Sequence, residues 1–352
     1  MDNIFGTVDE IKKELDRDQT IEVKIAFFGQ PGAGKSSLIN EIVGDDIAEV
    51  SVKTDTTVEP SPVRHNGMVL FDLPGYGTEK FPADEYWDKF DLYSYDLFLC
   101  VFEGKLHSAD VSLFKKVKSK EKECLFIRNK ADSLFEKGKT IEELHLAIKR
   151  DVETQIQNEV TVLFTSCRTT EGIGVLEEEI EKHLSPAKQE RWVRGAKAKS
   201  SRFLEKKRKL AEKRVQFYAA MSAANGLNPI PGVNIAVDVS VLMKLFKEIR
   251  SNFGLTDECL KDHAHLFAAE NLAMISNNLL KTLSTDGIKK LLSKYATSFV
   301  SQTFSNIIPI IGPLISSGAG YRITYAAGKS YLDDCYTLAK AILDSELEVK
   351  KN

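Results

Sequence analysis

The sequence predicts an α/β domain with a mostly parallel, doubly wound sheet, followed by an all-α helical domain. Between about residues 21 and 184, apolar runs with the β-branched and aromatic content of buried strands alternate with helical segments. This alternation is typical of a parallel sheet with helices on both faces. After Ser185 and Pro186 the pattern changes, and the stretch from about 215 to 345 has helical character throughout.

The first predicted strand, residues 21–28, leads directly into a glycine-rich loop. Residues 29–36 read GQPGAGKS and fit the pattern G-x-x-x-x-G-K-[ST]. A helix is predicted immediately afterwards, so the loop lies between a strand and a helix, as a phosphate-binding loop requires. Its backbone N–H groups and the positive end of the helix are expected to surround phosphate groups. The predicted phosphate-binding residues are Gly29, Gln30, Pro31, Gly32, Ala33, Gly34, Lys35, Ser36 and Ser37.

A second predicted strand, residues 68–71, ends at Asp72 in the sequence DLPG. A carboxylate at this position can hold Mg²⁺ through water, and the N–H of Gly75 can contact a γ-phosphate. Gly75 and Gly77 flank Tyr76, so this loop is expected to change conformation when that phosphate leaves.

The predicted metal site draws on three segments. Lys35 is expected to contact the β- and γ-phosphates, and the hydroxyl of Ser36 is expected to bind Mg²⁺. Between the two strands lies the sequence TDTT, from which Thr57, with Thr56 as the alternative, would complete the metal shell. A polar surface loop without a metal role is the other interpretation of that sequence. The predicted groups are Ser36, Thr57 and Asp72 at the metal, and Lys35, Thr57 and Gly75 for catalysis.

A third predicted strand, residues 124–128, is followed by NKAD at residues 129–132. Ligands bind at the carboxyl ends of strands in open parallel sheets. The carboxylate of Asp132 offers two acceptors to the N1 and N2 donors of guanine, whereas adenine presents no such pair. Asn129 is expected to brace the loop, and Lys130 is expected to lie along the base. We therefore predict GTP and GDP, with Mg²⁺, as the cofactors.

The sequence TSCR follows a short predicted strand at residues 162–164. It occupies the place of the last guanine-binding element of GTP-binding proteins, whose usual form is S-A-K, so the match is loose. Ser166 and Cys167 are the base-binding residues predicted from it.

Tyr76 is the main departure from the usual hydrolytic machinery. In many small GTPases a glutamine at this position orients the attacking water. Its replacement leaves three alternatives: another residue of the chain orients the water, a second molecule supplies the group, or intrinsic hydrolysis is very slow. A module that holds GTP without useful turnover is a related alternative, although Lys35, Ser36 and Asp72 favour hydrolysis.

Composition argues against several classes of protein. The chain has 352 residues, enough for two domains, and its net charge of −3 gives no overall attraction to nucleic acid. Its five cysteines form no C-x-x-C pair, which argues against a zinc site or a disulfide scaffold. The N-terminus shows no signal peptide and no Met-Gly for N-myristoylation, and no apolar run suits an ordinary transmembrane helix. We expect a cytoplasmic protein.

Residues 188–214 form a basic segment with twelve Lys or Arg and three Glu, and the many helix formers predict one long helix. The plain interpretation is a solvated helix that connects domains, and the alternative is a patch for anionic lipid or RNA. Two similar Pro/Gly breaks follow, at residues 228–234 and 308–313. Each is interpreted either as a turn in a helical core or as a hairpin tip that touches a membrane.

With these features the chain resembles the immunity-related GTPases, interferon-inducible and dynamin-like proteins with an IRG-type G domain. The likeness rests on DLPGYGT at residues 72–78, on FIRNKAD at 126–132 and on the sequences at 228–232, 253–255 and 308–312. The likeness covers most of residues 20 to 345. With Lys35, residues 34–36 read GKS, and in this the chain resembles the GKS branch of that family.

The resemblance implies a P-loop G domain over residues 20–186 and a helical domain over 187–352 with a long basic connecting helix. It also implies an N-terminal helix, residues 1–19, packed on the helical domain. Slow hydrolysis of GTP to GDP and phosphate is expected, with GTP-dependent homodimerisation and peripheral association with an anionic membrane surface. Nucleic acid is not an expected partner. The alternative is an Era- or TrmE-like GTPase that acts on RNA or in ribosome assembly, which the basic segment motivates.

Overall fold

The computed structural model of this chain describes residues 13, 20–45, 62–225, 233–268, 270–301 and 319–349. Contacts divide the chain into two compact units. One spans Ile21–Phe203 and contains the sheet, and the other contains the helical residues from Leu204 onward. The predicted combination of an α/β domain with an all-α domain is confirmed.

One sheet forms the centre of the first unit, with the strands β1 (Val23–Gly29), β2 (Val63–His65), β3 (Met68–Asp72), β4 (Leu97–Phe102), β5 (Glu123–Arg128) and β6 (Val162–Phe164). Their order is β2-β3-β1-β4-β5-β6, and every pair is parallel except β2 with β3. Phe27 is aligned with Asp72 in the register of β1 and β3. The glycine-rich loop and the DLPG sequence therefore leave the sheet at the same edge.

The helices described in the first unit follow the strands along the chain. They are α1 (Lys35–Val43), α2 (Tyr86–Lys89), α3 (Ser108–Ser119), α4 (Ile141–Ile156), α5 (Ile173–Lys182) and α6 (Pro186–Gly195). Helix α4 begins with a capping box, in which Thr140 Oγ1 accepts from Glu143 N–H and the Glu143 carboxylate accepts from Thr140 N–H. Such a cap satisfies N–H groups that have no partner within the helix.

The core of the first unit is rich in aromatic side chains. All of β4 is buried, and its residue Phe98 belongs to an aromatic cluster with Tyr86 and Trp87. The rings of Trp87 and Phe98 stack with centroids 5.7 Å apart. Burial of each such side chain stabilises the fold by about 1.5–3 kcal/mol. The cluster fixes α2 beside the DLPG sequence, which positions Tyr86 for the contact described below.

The prediction of one long helix across residues 188–214 is wrong. Helix α6 ends at Gly195, and a separate helix, α7 (Ser201–Asn225), begins six residues later. Between the two helices, Lys197 N–H donates to Ile42 O over 2.8 Å instead of to a carbonyl of α6. Ser200 Oγ then accepts from Phe203 N–H over 3.1 Å and caps the start of α7, so a new helix begins there.

Helix α6 is held in the first unit by Trp192. The indole is fully buried, and its Nε1–H donates to Glu177 O over 3.0 Å. The α/β unit therefore extends past the predicted boundary at residue 186, as far as Phe203.

The second unit is helical in its described residues. After α7 come α8 (Val233–Phe253), α9 (Asp257–Asp262), α10 (Glu270–Thr282), α11 (Thr285–Ser301) and α12 (Ala319–Val349). Phe246 of α8 and Tyr331 of α12 stack with ring centroids 4.0 Å apart. Lys207 Nζ is buried and donates to Asn252 O over 2.7 Å, which joins α7 to the end of α8.

Several predicted features lie outside the described residues. They are the N-terminal helix at 1–19, described only at Lys13, the TDTT sequence with Thr56 and Thr57, and the two Pro/Gly breaks at 228–232 and 308–313. Among the helices that are described, none combines the length and apolar character needed to cross a membrane.

Candidate nucleotide-binding site

The glycine-rich loop after β1 is closed around the Lys35 side chain. Lys35 Nζ donates to the carbonyl oxygens of Gly29 and Gln30 at 3.2 and 3.3 Å. The ammonium group thus lies inside the loop, where it is 3.6 Å from Asp72 Oδ1. The positive charge of the ammonium group and the positive end of the helix lie together here, and both attract the negative charge of phosphate groups.

Two glycines of the loop leave no room for a side chain. A Cβ at Gly29 would lie 1.9 Å from Val101 O, and one at Gly34 would lie 2.3 Å from Asn129 Nδ2. Both residues also have positive φ, +127° and +91°, which L side chains rarely adopt. The loop conformation therefore depends on glycine at these positions.

Ser36 and Asp72 meet at the predicted metal position. Ser36 Oγ donates to Asp72 Oδ2 over 2.7 Å, although the two residues belong to different sequence motifs. A hydroxyl and a carboxylate are hard oxygen ligands of the kind that Mg²⁺ prefers. The two side chains fit such an ion, and their roles as metal ligands stay predictions.

The segment after Asp72 is tied to the aromatic cluster. Tyr86 OH donates to Pro74 O over 2.5 Å, and Thr78 Oγ1 donates to Gly75 O over 3.1 Å. The ring of Tyr76 meets the ring of Tyr86 edge-on, with centroids 5.0 Å apart. Gly75 itself is exposed, so its backbone is accessible to a ligand.

Asn129 joins the NKAD loop to the phosphate loop. Its side chain is buried; Nδ2 donates to Ala33 O over 2.9 Å, and Oδ1 accepts from Thr165 Oγ1 over 3.1 Å. The Cys167 thiol also contacts Asn129 Oδ1, at 3.7 Å. Burial raises the pKa of Cys167 to about 12, so the thiol stays neutral and serves as a packing and weak donor group.

Asp132 is surrounded by donors from the TSCR sequence. Ser166 Oγ donates to Asp132 Oδ1 over 2.5 Å, and Arg168 Nε donates to Oδ2 over 2.8 Å. The Ser166 hydrogen bond, supported by the charge of Arg168, lowers the pKa of Asp132. Lys130, whose φ is +56°, forms an ion pair with Glu103. The predicted base-binding residues thus lie together at the carboxyl ends of β5 and β6.

Sequence reasoning missed some contacts around the site. The Gln30 carboxamide donates to Lys105 O, which ties the phosphate loop to the segment after β4. Arg168 received no role, although its place two residues after Ser166 was a signal that could have revealed one. Asp110 is buried near this segment and accepts from His107 N–H over 2.9 Å; burial raises its pKa. Contacts of this kind depend on loop conformation and not on a local pattern.

Together, the loop, the Ser36–Asp72 pair and the NKAD loop define a P-loop protein that binds a guanine nucleotide. The chain belongs to the interferon-inducible GTPase (IIGP) family, which it matches over residues 1–345. It is therefore a GTP-hydrolysing enzyme of the interferon-inducible type, and the resemblance seen in the sequence is confirmed.

Individual relatives are similar over most of their length. Interferon-inducible GTPase 5 of Rattus norvegicus is 24% identical over 363 residues, covering 96% of this chain and 78% of the relative. Interferon-inducible GTPase 1 of Mus musculus is 27% identical, covering 84% of this chain and 78% of the relative. Among solved structures, Era of Aquifex aeolicus is 18% identical, with a TM-score of 0.40 over 60% of this chain and 70% of that one.

Proposed function

We propose that this GTPase completes its catalytic site in a GTP-dependent homodimer, in which a second copy faces the nucleotide. The observation that carries the proposal is Tyr76, which stands where a water-orienting glutamine is usual. A dimer would exclude water and fix polar groups around the γ-phosphate. Both effects strengthen the electrostatic stabilisation of the transition state.

The surroundings of Tyr76 support this proposal. Its half-buried ring packs against Tyr86, which holds it towards the aromatic cluster. Burial, followed by the nearby charge of Asp84, raises the pKa of the Tyr76 phenol. The phenol therefore stays protonated at neutral pH and is not a base for the attacking water. Orientation of that water is assigned to a group from the second copy.

The chain's own residues supply the remaining parts of the proposed site. Lys35 would exchange its carbonyl partners for phosphate oxygens, and Ser36 would hold Mg²⁺ directly while Asp72 would hold it through water. When bound, Mg²⁺ offsets the negative charge of the phosphates. The exposed N–H of Gly75 contacts the γ-phosphate. Thr57 as a further metal ligand stays a prediction, because it lies outside the described residues.

Phosphate release per mole of protein, measured from GTP and from ATP over a wide range of protein concentration, tests the proposal. The expected result is release from GTP only, at a rate per subunit that rises with protein concentration. A rate from GTP that stays constant over the whole range would contradict dimer-dependent catalysis.

Variants separate dimerisation from other effects of concentration. Lys35→Ala removes the cation inside the phosphate loop, so it is expected to lose nucleotide binding and to stimulate no hydrolysis when added in excess to the wild-type protein. Lys139→Ala is the matched control, because Lys139 is exposed and pairs only with its neighbour Glu136 among the contacts seen. It should hydrolyse GTP like the wild type.

We also propose peripheral action at a membrane, which the two apolar Pro/Gly breaks of the sequence motivate. Co-sedimentation with anionic and with neutral vesicles, in the presence of GDP or a non-hydrolysable GTP analogue, tests this part. Binding that depends on the GTP analogue is expected. Absence of binding to either vesicle in both nucleotide states would overturn it.

The contacts of the basic segment, residues 188–214, favour its role as a connection between domains over a role as an RNA-binding patch. Within this segment, Lys188 pairs with Asp96, Lys199 with Glu41 and Arg202 with Glu178. Lys207 is buried against Asn252 O. Cations already paired with carboxylates attract phosphate backbones less, because their charge is partly neutralised. Ribosome co-sedimentation in the GTP-analogue state is expected to be absent.

A further inference from the structure

We propose that Arg168 competes with guanine for the guanine-recognition carboxylate and has to withdraw from it when guanine binds. Arg168 would then be a competing residue that sets the association rate and affinity for guanine nucleotides. The proposal rests on the assignment of Asp132 as the carboxylate that binds guanine.

The contacts of Arg168 resemble those that guanine would make. Arg168 Nε and Nη2 lie 2.8 and 2.7 Å from Asp132 Oδ2. Guanine also presents two adjacent N–H groups, N1–H and N2–H, which bond one to each oxygen of a carboxylate. Both Arg168 nitrogens lie on Oδ2, so a base that bonds both oxygens of Asp132 meets Arg168 at Oδ2.

The two partners differ greatly in exposure. The Asp132 side chain is 15% exposed, whereas that of Arg168 is 77% exposed. Loss of a donor would leave a largely buried carboxylate with fewer hydrogen bonds, which is costly. The guanidinium, by contrast, can move into water without losing solvation. Arg168 is therefore suited to pair with Asp132 and to withdraw when a base arrives.

The neighbouring lysine does not take this role. Lys130 precedes Asp132 by two residues, but its ammonium pairs with Glu103 on the segment after β4. The groups that act on the Asp132 carboxylate are Ser166, the Asp132 backbone and Arg168. Arg168 thus supplies the positive charge at this carboxylate among the described residues.

Competition predicts a particular kinetic change in the variant Arg168→Ala. The association rate constant for a fluorescent GDP should rise, and the dissociation rate constant should stay unchanged, because Arg168 is already displaced in the bound state. The gain in affinity should be about twofold to fivefold, which is the range that a solvent-accessible ion pair supports. High salt should remove the difference, since it screens the same pair in the wild type.

Two further variants complete the experiment. Arg168→Lys should fall between the wild type and Arg168→Ala, because a lysine pairs as a single point charge without the planar fork. Arg64→Ala is the matched control: Arg64 is also exposed and pairs with a carboxylate, Glu22, but it lies on β2, at the opposite edge of the sheet. It should change neither rate constant.

Combining Arg168→Ala with Asp132→Asn distinguishes two failures: Arg168 does not compete with guanine, or Asp132 does not bind guanine. If Asp132→Asn shifts the preference from guanine to xanthine and Arg168→Ala then has no further effect, the proposal is supported. Unchanged or weakened GDP binding by Arg168→Ala in the otherwise wild-type protein overturns it. If Asp132→Asn produces no shift towards xanthine, the base-site assignment fails, and the proposal fails with it.

Discussion

Asn129 Nδ2 donates a hydrogen bond to Ala33 O over 2.9 Å, so a single buried amide connects the base-reading loop to the phosphate loop. The two loops are far apart in sequence, and each is predicted to contact a different part of a nucleotide. Binding at one end of the nucleotide is therefore mechanically connected to the other end through this side chain.

Gly34→Ala should break this connection. The added Cβ would lie 2.3 Å from Asn129 Nδ2, so the amide has to move, and the positive φ adds about 1 kcal/mol of strain. We expect a lower melting temperature and a loss of GDP affinity. Gly138→Ala is the control, because it has a similar φ of +83° with no atom within 4 Å of the new Cβ. Equal losses in the two variants would refute the steric explanation.

Ser36→Ala should weaken the dependence of GTP binding on Mg²⁺. The hydroxyl that bonds Asp72 would be absent, and the metal would lose a direct ligand. We expect GTP affinity in Mg²⁺ to fall about tenfold, the loss of one hydrogen bond to a charged group. Titration with and without a chelator measures it. Ser119→Ala, at the exposed end of α3, should behave like the wild type.

Asp132→Asn should change which base is bound. The amide replaces one acceptor with a donor, which opposes guanine N1–H and suits the carbonyl of xanthine. GDP affinity should fall about a hundredfold or more, because hydrogen bonds to a charged group contribute about 1.5–3 kcal/mol each. Competition between GDP and XDP measures the change. Full retention of guanine affinity would show that Asp132 does not read the base.

Tyr86→Phe should loosen the segment after Asp72. The phenol that donates to Pro74 O is lost, while the buried ring remains in the aromatic cluster. The free energy of unfolding should fall by about 1 kcal/mol, and hydrogen exchange should become faster in this segment. Tyr93→Phe, on a half-exposed tyrosine, is the control. If both variants unfold like the wild type, the hydroxyl has no anchoring role.

Asp110→Asn should stabilise the protein at neutral pH. Burial raises the pKa of Asp110, so the folded state binds this proton more strongly than the unfolded state does. The group therefore favours folding below its unfolded pKa, and this contribution is lost as pH rises through the folded pKa. The Asn variant should melt higher than the wild type at neutral pH, and the difference should shrink on acidification.

Asp132→Asn should change the pH dependence of stability in the opposite direction to Asp110→Asn, because the pKa of Asp132 is lowered and not raised. Its wild-type carboxylate stabilises the fold above the unfolded pKa, and this stability is lost as pH falls through the folded pKa. A lower melting temperature of Asp110→Asn at neutral pH would contradict the role assigned to burial.

Much of the fold follows from local sequence. The strand predicted at residues 162–164 coincides with β6. Helix α8 ends at Phe253, with Gly254 at φ +67° and Thr256 capping α9. Strand β2 was not predicted, because its three residues are defined by pairing with β3 and not by burial.

In the site, too, residues fixed by a local motif are predictable, and residues placed by long-range contacts are not. Motif residues such as Lys35, Ser36 and Asp132 are predictable, because their chemistry requires fixed spacing. The partners Glu103 and Lys105 are not, because each meets its partner through a long-range loop contact. The break between α6 and α7 was missed for a related reason: its backbone bonds go to distant groups such as Ile42 O.

The base-binding loop also has a consequence for the order of events during protein synthesis. Its closing bonds come from residues late in the unit: Ala131 N–H donates to Thr165 O, and Ser166 N–H donates to Glu171 O. A growing chain therefore exposes its phosphate loop long before it can distinguish guanine from adenine. Selective nucleotide capture has to wait until Glu171 has left the ribosome, and from then on GTP can stabilise the unit as it folds.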